Sequence, residues 1–309
     1  MRPVFDPAAV VPELTRLHHA AVAGDWPAID TLFAEEPDPY GTVVLADTLA
    51  EVPGVEQLLG RVLEHQPHHP LATALLADRH IHLAWEARTG AWAKDVTPEQ
   101  WEAFRAHLNQ AEQLLLWATA YDPGHALAWK LRLTTALGLS LGLSESERRY
   151  RNLARVSPSP YGGQRTRLQQ LLPKWGGSWE AAHAFAQECF REAPPGGLGG
   201  AVVAMYHVER WSSFAAKDRP EYLRRPQVRQ ELTEAAAGSV LHPACRARHG
   251  FVTAHSMFAM LASLADDRQA AAAHFRAMGP YGHTSPWTLL GGDAEALFTE
   301  HRDRALAQG

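Results

Sequence analysis

GSWEAAHAFAQECFREAP, residues 177–194, reads as one complete helix with both of its ends written in. Gly177 and Ser178 open it, and an Ala/aromatic stripe runs through it at helical spacing. Pro194 stops it, because a proline inside a helix lacks the N–H and clashes with the turn before it. Three other stretches repeat the pattern: GDWPAIDTLFAEEP from Gly24, SESERRYRNLARVSP from Ser144 and DDRQAAAAHFRAMGP from Asp266. They close at Pro37, Pro158 and Pro280. Such stretches are the second helix of a helix–turn–helix repeat, so the pattern predicts an all-α chain built as an α–α superhelix of antiparallel helix pairs. A solenoid of this kind offers a long concave surface, which points to binding ahead of chemistry.

Partner helices are predicted after His69-Pro70, Asp122-Pro123, Ser159-Pro160 and His242-Pro243, with proline in the first turn and a polar residue before it as cap. The central units, residues 122–158 and 159–194, sit close to the period of about 34 residues of tetratricopeptide repeats. Thr97, with Gln100 three residues on, forms a capping box that starts a long helix through Tyr121. The period stretches over residues 86–101 and 196–226. PGGLGG at 195–200 is a candidate hinge, yet helical apolar spacing resumes over 201–214, so one solenoid spanning residues 1–309 is expected. The charged amphipathic segment 293–307 suits a capping helix.

Composition supports the helical reading. The 309 residues include 52 Ala and 37 Leu but only 17 Val and 2 Ile, and β-branched residues are the strand formers. A net charge of −5, a pI near 6.4 and the lack of a Lys/Arg block argue against nucleic-acid binding. With no long apolar run and no signal-like start, the expectation is a cytoplasmic protein with no membrane partner. Cys189 and Cys245 are far apart and do not suggest a disulfide framework. Ten Trp and 17 His are high for such a chain, either as interface residues or through coding bias.

The run Pro173-Lys174-Trp175-Gly176-Gly177-Ser178-Trp179-Glu180, leading into AAHAFAQE, resembles a motif of an uncharacterised group of bacterial tetratricopeptide-like (TPR-like) proteins. There a K-W-G-G-S turn precedes a helix with an A-F-A pattern. The resemblance implies an α–α superhelix and no particular reaction. Residues 86–101 and 196–226 depart from its regular spacing. As structure, the two glycines permit a helix C-cap and Ser178 caps the next helix. As function, Lys174 would face an anionic ligand.

Among candidate chemical groups, Asp78, His82 and Glu86 at i, i+4 and i+8 share one helix stripe. Carboxylates around a histidine suit a general base or two or three ligands to a divalent metal; a solvated, ion-paired stripe helped by Arg79 is the plainer reading. Glu180-x-x-His183 has the spacing of di-iron helices but lacks a second such pair. His65, His68 and His69 lie between prolines, where His caps helices. His255 and Ser256 are adjacent and point apart, so they form no dyad. Cys245 follows Pro243 with no evident base, and Cys189 reads as core. No metal site and no nucleotide loop is predicted.

Residues expected to face the groove are Arg79, His82, Glu86, Lys130, Arg167, His207, Arg210, Arg248 and His255, with Trp85, Trp129, Tyr206, Trp211 and Phe251 between them. Arg and Trp are common energetic anchors. Two functions follow. The first is a scaffold binding a peptide or partner protein in its concave groove. The second is an enzyme or small-molecule receptor, metal-assisted or acid–base, with a pocket shaped by the irregular segments 86–101 and 196–226.

Overall fold

The computed structural model describes residues 2–89 and 95–308. Part of the irregular segment 86–101 therefore lies outside the described residues. The described chain is all-helical, with one isolated bridge between Val4 and Tyr281 and no strand. Its helices run α1 Pro7–Val10, α2 Glu13–Ala23, α3 Trp26–Glu35, α4 Pro39–Ala50, α5 Val55–His65 and α6 Pro70–Arg88. Then come α7 Pro98–Tyr121, α8 Ala126–Gly138, α9 Leu143–Val156, α10 Tyr161–Leu171, α11 Trp179–Glu192 and α12 Gly199–Ser213. The last are α13 Arg219–Arg224, α14 Pro226–Gly238, α15 Phe251–Leu264, α16 Arg268–Met278 and α17 Ala294–Gln308. No described helix is long and apolar enough to cross a membrane.

Local chemistry sets the helix ends. Asp25, Asp38, Ser178 and Asp267 accept backbone N–H groups at the starts of α3, α4, α11 and α16. Thr97 and Gln100 form the expected capping box of α7. Two expected starts move: α8 begins at Ala126 behind a His125 cap, past Pro123, and a second moves further. The helix predicted directly after Pro243 begins only at Phe251, because Gly250 holds a left-handed φ of 71° that an ongoing helix does not permit.

The chain divides into two compact units. Residues 12–170 form one, with a core that includes Leu17, Ile29, Leu45, Leu75, Leu108 and Leu131. Within it, Glu112 of α7 is a buried tie. It accepts from Arg149 of α9 at 2.8 and 2.9 Å, and from Arg132 and Thr135 of α8 at 3.3 and 2.5 Å. A buried charge is tolerated only when paired and hydrogen-bonded in this way.

Residues 171–308 form the other unit together with residues 2–11. Phe275, Trp287 and Phe298 fill one part of its core, and the Trp287 indole donates to Ser256 Oγ at 2.9 Å. Here α12 lies against both α11 and α14. Glycine makes that approach possible. A Cβ on Gly199 would fall on the Cys189 carbonyl of α11, and one on Gly200 on the Ala235 carbonyl of α14. The segment 195–200, the candidate hinge, is seated here: Gly196 N–H donates to Gly238 O at 3.0 Å.

Gly200→Ala should therefore destabilise this unit by about 1–3 kcal/mol, the usual cost of overpacking, as read by urea denaturation. A second expectation concerns pH. His255 and His274 meet Nδ1 to Nδ1 at 2.8 Å in the core, His274 stacked on Phe258. Burial pushes their pKa values down to about 4 and about 3 from an ordinary 6.5. The folded rings stay neutral while the unfolded chain takes up protons below 6.5. Stability from these groups is therefore full above that pH and is lost as pH falls toward the folded values. Between pH 7 and 5 each ring should cost about 2 kcal/mol. Denaturation at both pH values should show the loss, and His274→Phe should reduce it; an unchanged slope would refute the assignment.

Candidate ligand-binding site

A cavity of about 290 Å³ opens in the unit of residues 171–308, among α11, α12, α13 and the start of α14. At its base lies the Glu231 carboxylate of α14. Its Oε2 receives His183 Nε2 at 2.8 Å and Gln187 Nε2 at 3.1 Å, both from α11, and His207 Nε2 of α12 at 3.1 Å. Its Oε1 receives Gln227 Nε2 at 2.8 Å. Three of the four donors converge on Oε2 and one on Oε1, so Oε2 is fully engaged while Oε1 keeps one lone-pair direction. Burial alone would raise the Glu231 pKa, but the hydrogen bonds from His207, His183 and Gln227 hold it at about 2.

An ionised carboxylate only accepts, so each histidine must present Nε2–H to it. This fixes the His207 tautomer. Its side chain is buried, and its Nδ1 accepts the Tyr222 hydroxyl at 2.6 Å. Burial pushes the His207 pKa down, against the pull of Glu231, so this ring is neutral. Burial likewise raises the Tyr222 and Tyr206 phenols, which stay protonated.

The walls are aromatic and cationic. The Arg210 guanidinium lies 4.7 Å from the ring centres of both Trp179 and Phe214, and Arg225 lies 5.5 Å from that of Tyr222. Neither arginine side chain makes a hydrogen bond or ion pair among the described residues. Glu180, fully exposed at the rim, has its pKa lowered by its own backbone N–H, by Ser178 and, less, by the charge of Arg210.

Of the residues expected at a groove, the cavity gathers His207 and Arg210, with Tyr206 beside them. It also takes in both members of the Glu180-x-x-His183 pair. The others lie elsewhere. Asp78 is buried with Oδ2 unpartnered, and burial, with the Asp47 charge, raises its pKa to about 7. Lys130 donates to Asp47 at 3.2 Å. His82 approaches Glu86 at 3.5 Å on a half-exposed surface, and no contact joins it to Asp78. Arg79 bonds Glu56 and the Ala50 carbonyl, while Arg167 bonds Ser146, Glu147 and the Leu143 carbonyl. Trp129 is core and donates to the Pro123 carbonyl; Trp85 packs edge-on to Phe104. His255 is fully buried, and Arg248 is exposed. Lys174 pairs with Glu209 at 2.9 Å. Among the described residues no group of three or more His, Cys, Asp or Glu is placed to hold a metal ion.

Tyr222, Arg225, Gln227 and Glu231 were not legible as site residues, because α13 and α14 fall in and just beyond the stretch read as irregular. A signal existed: Pro226 suits a first helical turn, and QVRQELTEAAAG carries helix formers up to Gly238. No family model, curated protein or solved structure matches this chain.

Glu231→Ala should strand the buried His207 donor and loosen α11, α12 and α14 together. The expected loss is about 1–3 kcal/mol by urea denaturation, the cost of a buried group left unsatisfied.

Proposed function

We propose that this cavity binds a small organic anion. One observation carries the reading: Glu231 takes four donors, none of them an arginine, so Arg210 and Arg225 stand at the cavity with no hydrogen bond or ion pair among the described residues, the exposed Glu180 at the rim being the one carboxylate whose charge Arg210 feels. Guanidinium groups are planar, always charged and suited to carboxylate or phosphate, and the rings of Trp179, Tyr206 and Tyr222 offer the apolar contact of a metabolite-sized site. The protein in this reading is a cytosolic receptor or enzyme, where Cys189 and Cys245 remain as free thiols. Its helices form TPR-like pairs within each unit, as the K-W-G-G-S resemblance implies.

A second reading keeps the peptide-binding scaffold, on the unit of residues 12–170. Its support is the direct packing of α4 on α6 and of α6 on α8, which sets alternate helices side by side as a groove floor requires. In that case a peptide would be lost on Lys130→Ala and retained on Arg210→Ala.

Calorimetry with a panel of small carboxylates, phosphate monoesters and sulfate tests the first reading. Arg210→Ala should weaken the best ligand roughly 10- to 100-fold, the worth of one charge-assisted hydrogen bond, and Arg225→Ala should act in the same direction. Binding unchanged in both variants would sink it.

A further inference from the structure

Resting on the anion reading above, the hydrogen-bond directions around Glu231 go further. In His207 both ring nitrogens are engaged, Nε2 by Glu231 and Nδ1 by Tyr222, so that ring has no place for another proton without losing a buried contact. His183 differs. Its Nε2–H is fixed by Glu231 at 2.8 Å, its Nδ1 has no partner among the described residues, and 32% of its side chain is exposed. When its Nδ1 carries no proton, His183 offers that nitrogen as a lone pair beside the same cavity that Arg210 and Arg225 line. An arriving anion repels that lone pair and favours a proton on it. The imidazolium so formed already has its counter-charge, Glu231, behind it.

We propose that the cavity selects a dianion and binds it together with one proton, taken from water onto Nδ1 of His183. Arg210, Arg225 and protonated His183 then face Glu231 and the two charges of the ligand, which leaves the site neutral. The other groups around the ring do not take this role. Tyr206 and Tyr222 stay neutral phenols, His207 is closed on both nitrogens, Gln187 does not titrate, and Glu180 is fully exposed to screening water.

Titration calorimetry with sulfate, which stays a dianion throughout the range, tests this on the full chain. Repeating it in buffers of different ionisation heat counts the protons. With rising pH the uptake should climb toward one proton per sulfate, and where it is largest Kd should weaken toward tenfold per pH unit. His183→Gln keeps an amide donor for Glu231 but cannot be protonated, so its uptake should be near zero and its Kd flat with pH, at unchanged thermal stability. If that variant is destabilised, His183→Asn serves the same comparison. Sulfate binding without proton uptake, uptake unchanged in both variants, or a small monocarboxylate preferred over sulfate would each overturn the proposal and leave anion binding standing. If no anion of the panel binds, the anion reading itself fails.

Discussion

The unit of residues 171–308 turns on one carboxylate that takes four donors. Glu231 binds α11 through His183 and Gln187, α12 through His207, and its own helix through Gln227. Each of these donors comes from a helix whose backbone is already drawn close by Gly199 and Gly200. Close backbone approach and polar convergence are therefore one constraint. Bulk at the glycines would part the helices, and parted helices would leave Glu231 buried and under-satisfied, which a low-dielectric interior penalises heavily.

The unit of residues 12–170 uses the same device with a different outcome. Glu112 also joins three helices, but its partners are the guanidiniums of Arg132 and Arg149, with Thr135. Glu145 accepts from Arg149 at 2.6 Å as a second carboxylate, so the two guanidiniums meet two counter-charges within the cluster. Around Glu231 the donors are amides and imidazoles, so the carboxylate is satisfied without using an arginine. The arginines nearby rest instead on aromatic faces, Arg210 on Trp179 and Phe214. A cation–π contact holds a guanidinium in place while leaving its N–H edge free for a ligand. That difference separates a structural tie from a candidate site.

The sequence made the helical class and most helix ends legible, since these depend on local rules. Ser178, Asp25, the Thr97–Gln100 box and the closing prolines act within a few residues of themselves. The site was legible only in part. His207, Arg210 and the Glu180-x-x-His183 pair stood out as residues, but nothing local to them shows that they converge. The organising residue, Glu231, sits in a helix that begins at Pro226, where the glycines and prolines before it break the repeat period and hide the helix from a periodic reading. Arg79, Arg167 and Trp129 show the converse: residue types that suit a binding groove are here consumed by carboxylates, carbonyls and core packing.

The high histidine content now has a physical account. Imidazole serves this chain mainly as a small neutral polar group. His69 and His125 cap α6 and α8 by accepting backbone N–H groups. His255 and His274 pair through their Nδ1 atoms in the core, and His80 meets His107 at 3.1 Å. His207 bridges a carboxylate and a phenol. In each role at least one ring nitrogen is bonded within the protein, and burial opposes the charge at His80, His125, His207, His255 and His274. His183 stands apart because its second nitrogen lies beside a cavity that Arg210 and Arg225 line, while the first is committed to Glu231. A histidine with one nitrogen anchored and one free is oriented for proton exchange with whatever the cavity holds, and that is a property of its position, not of the residue count.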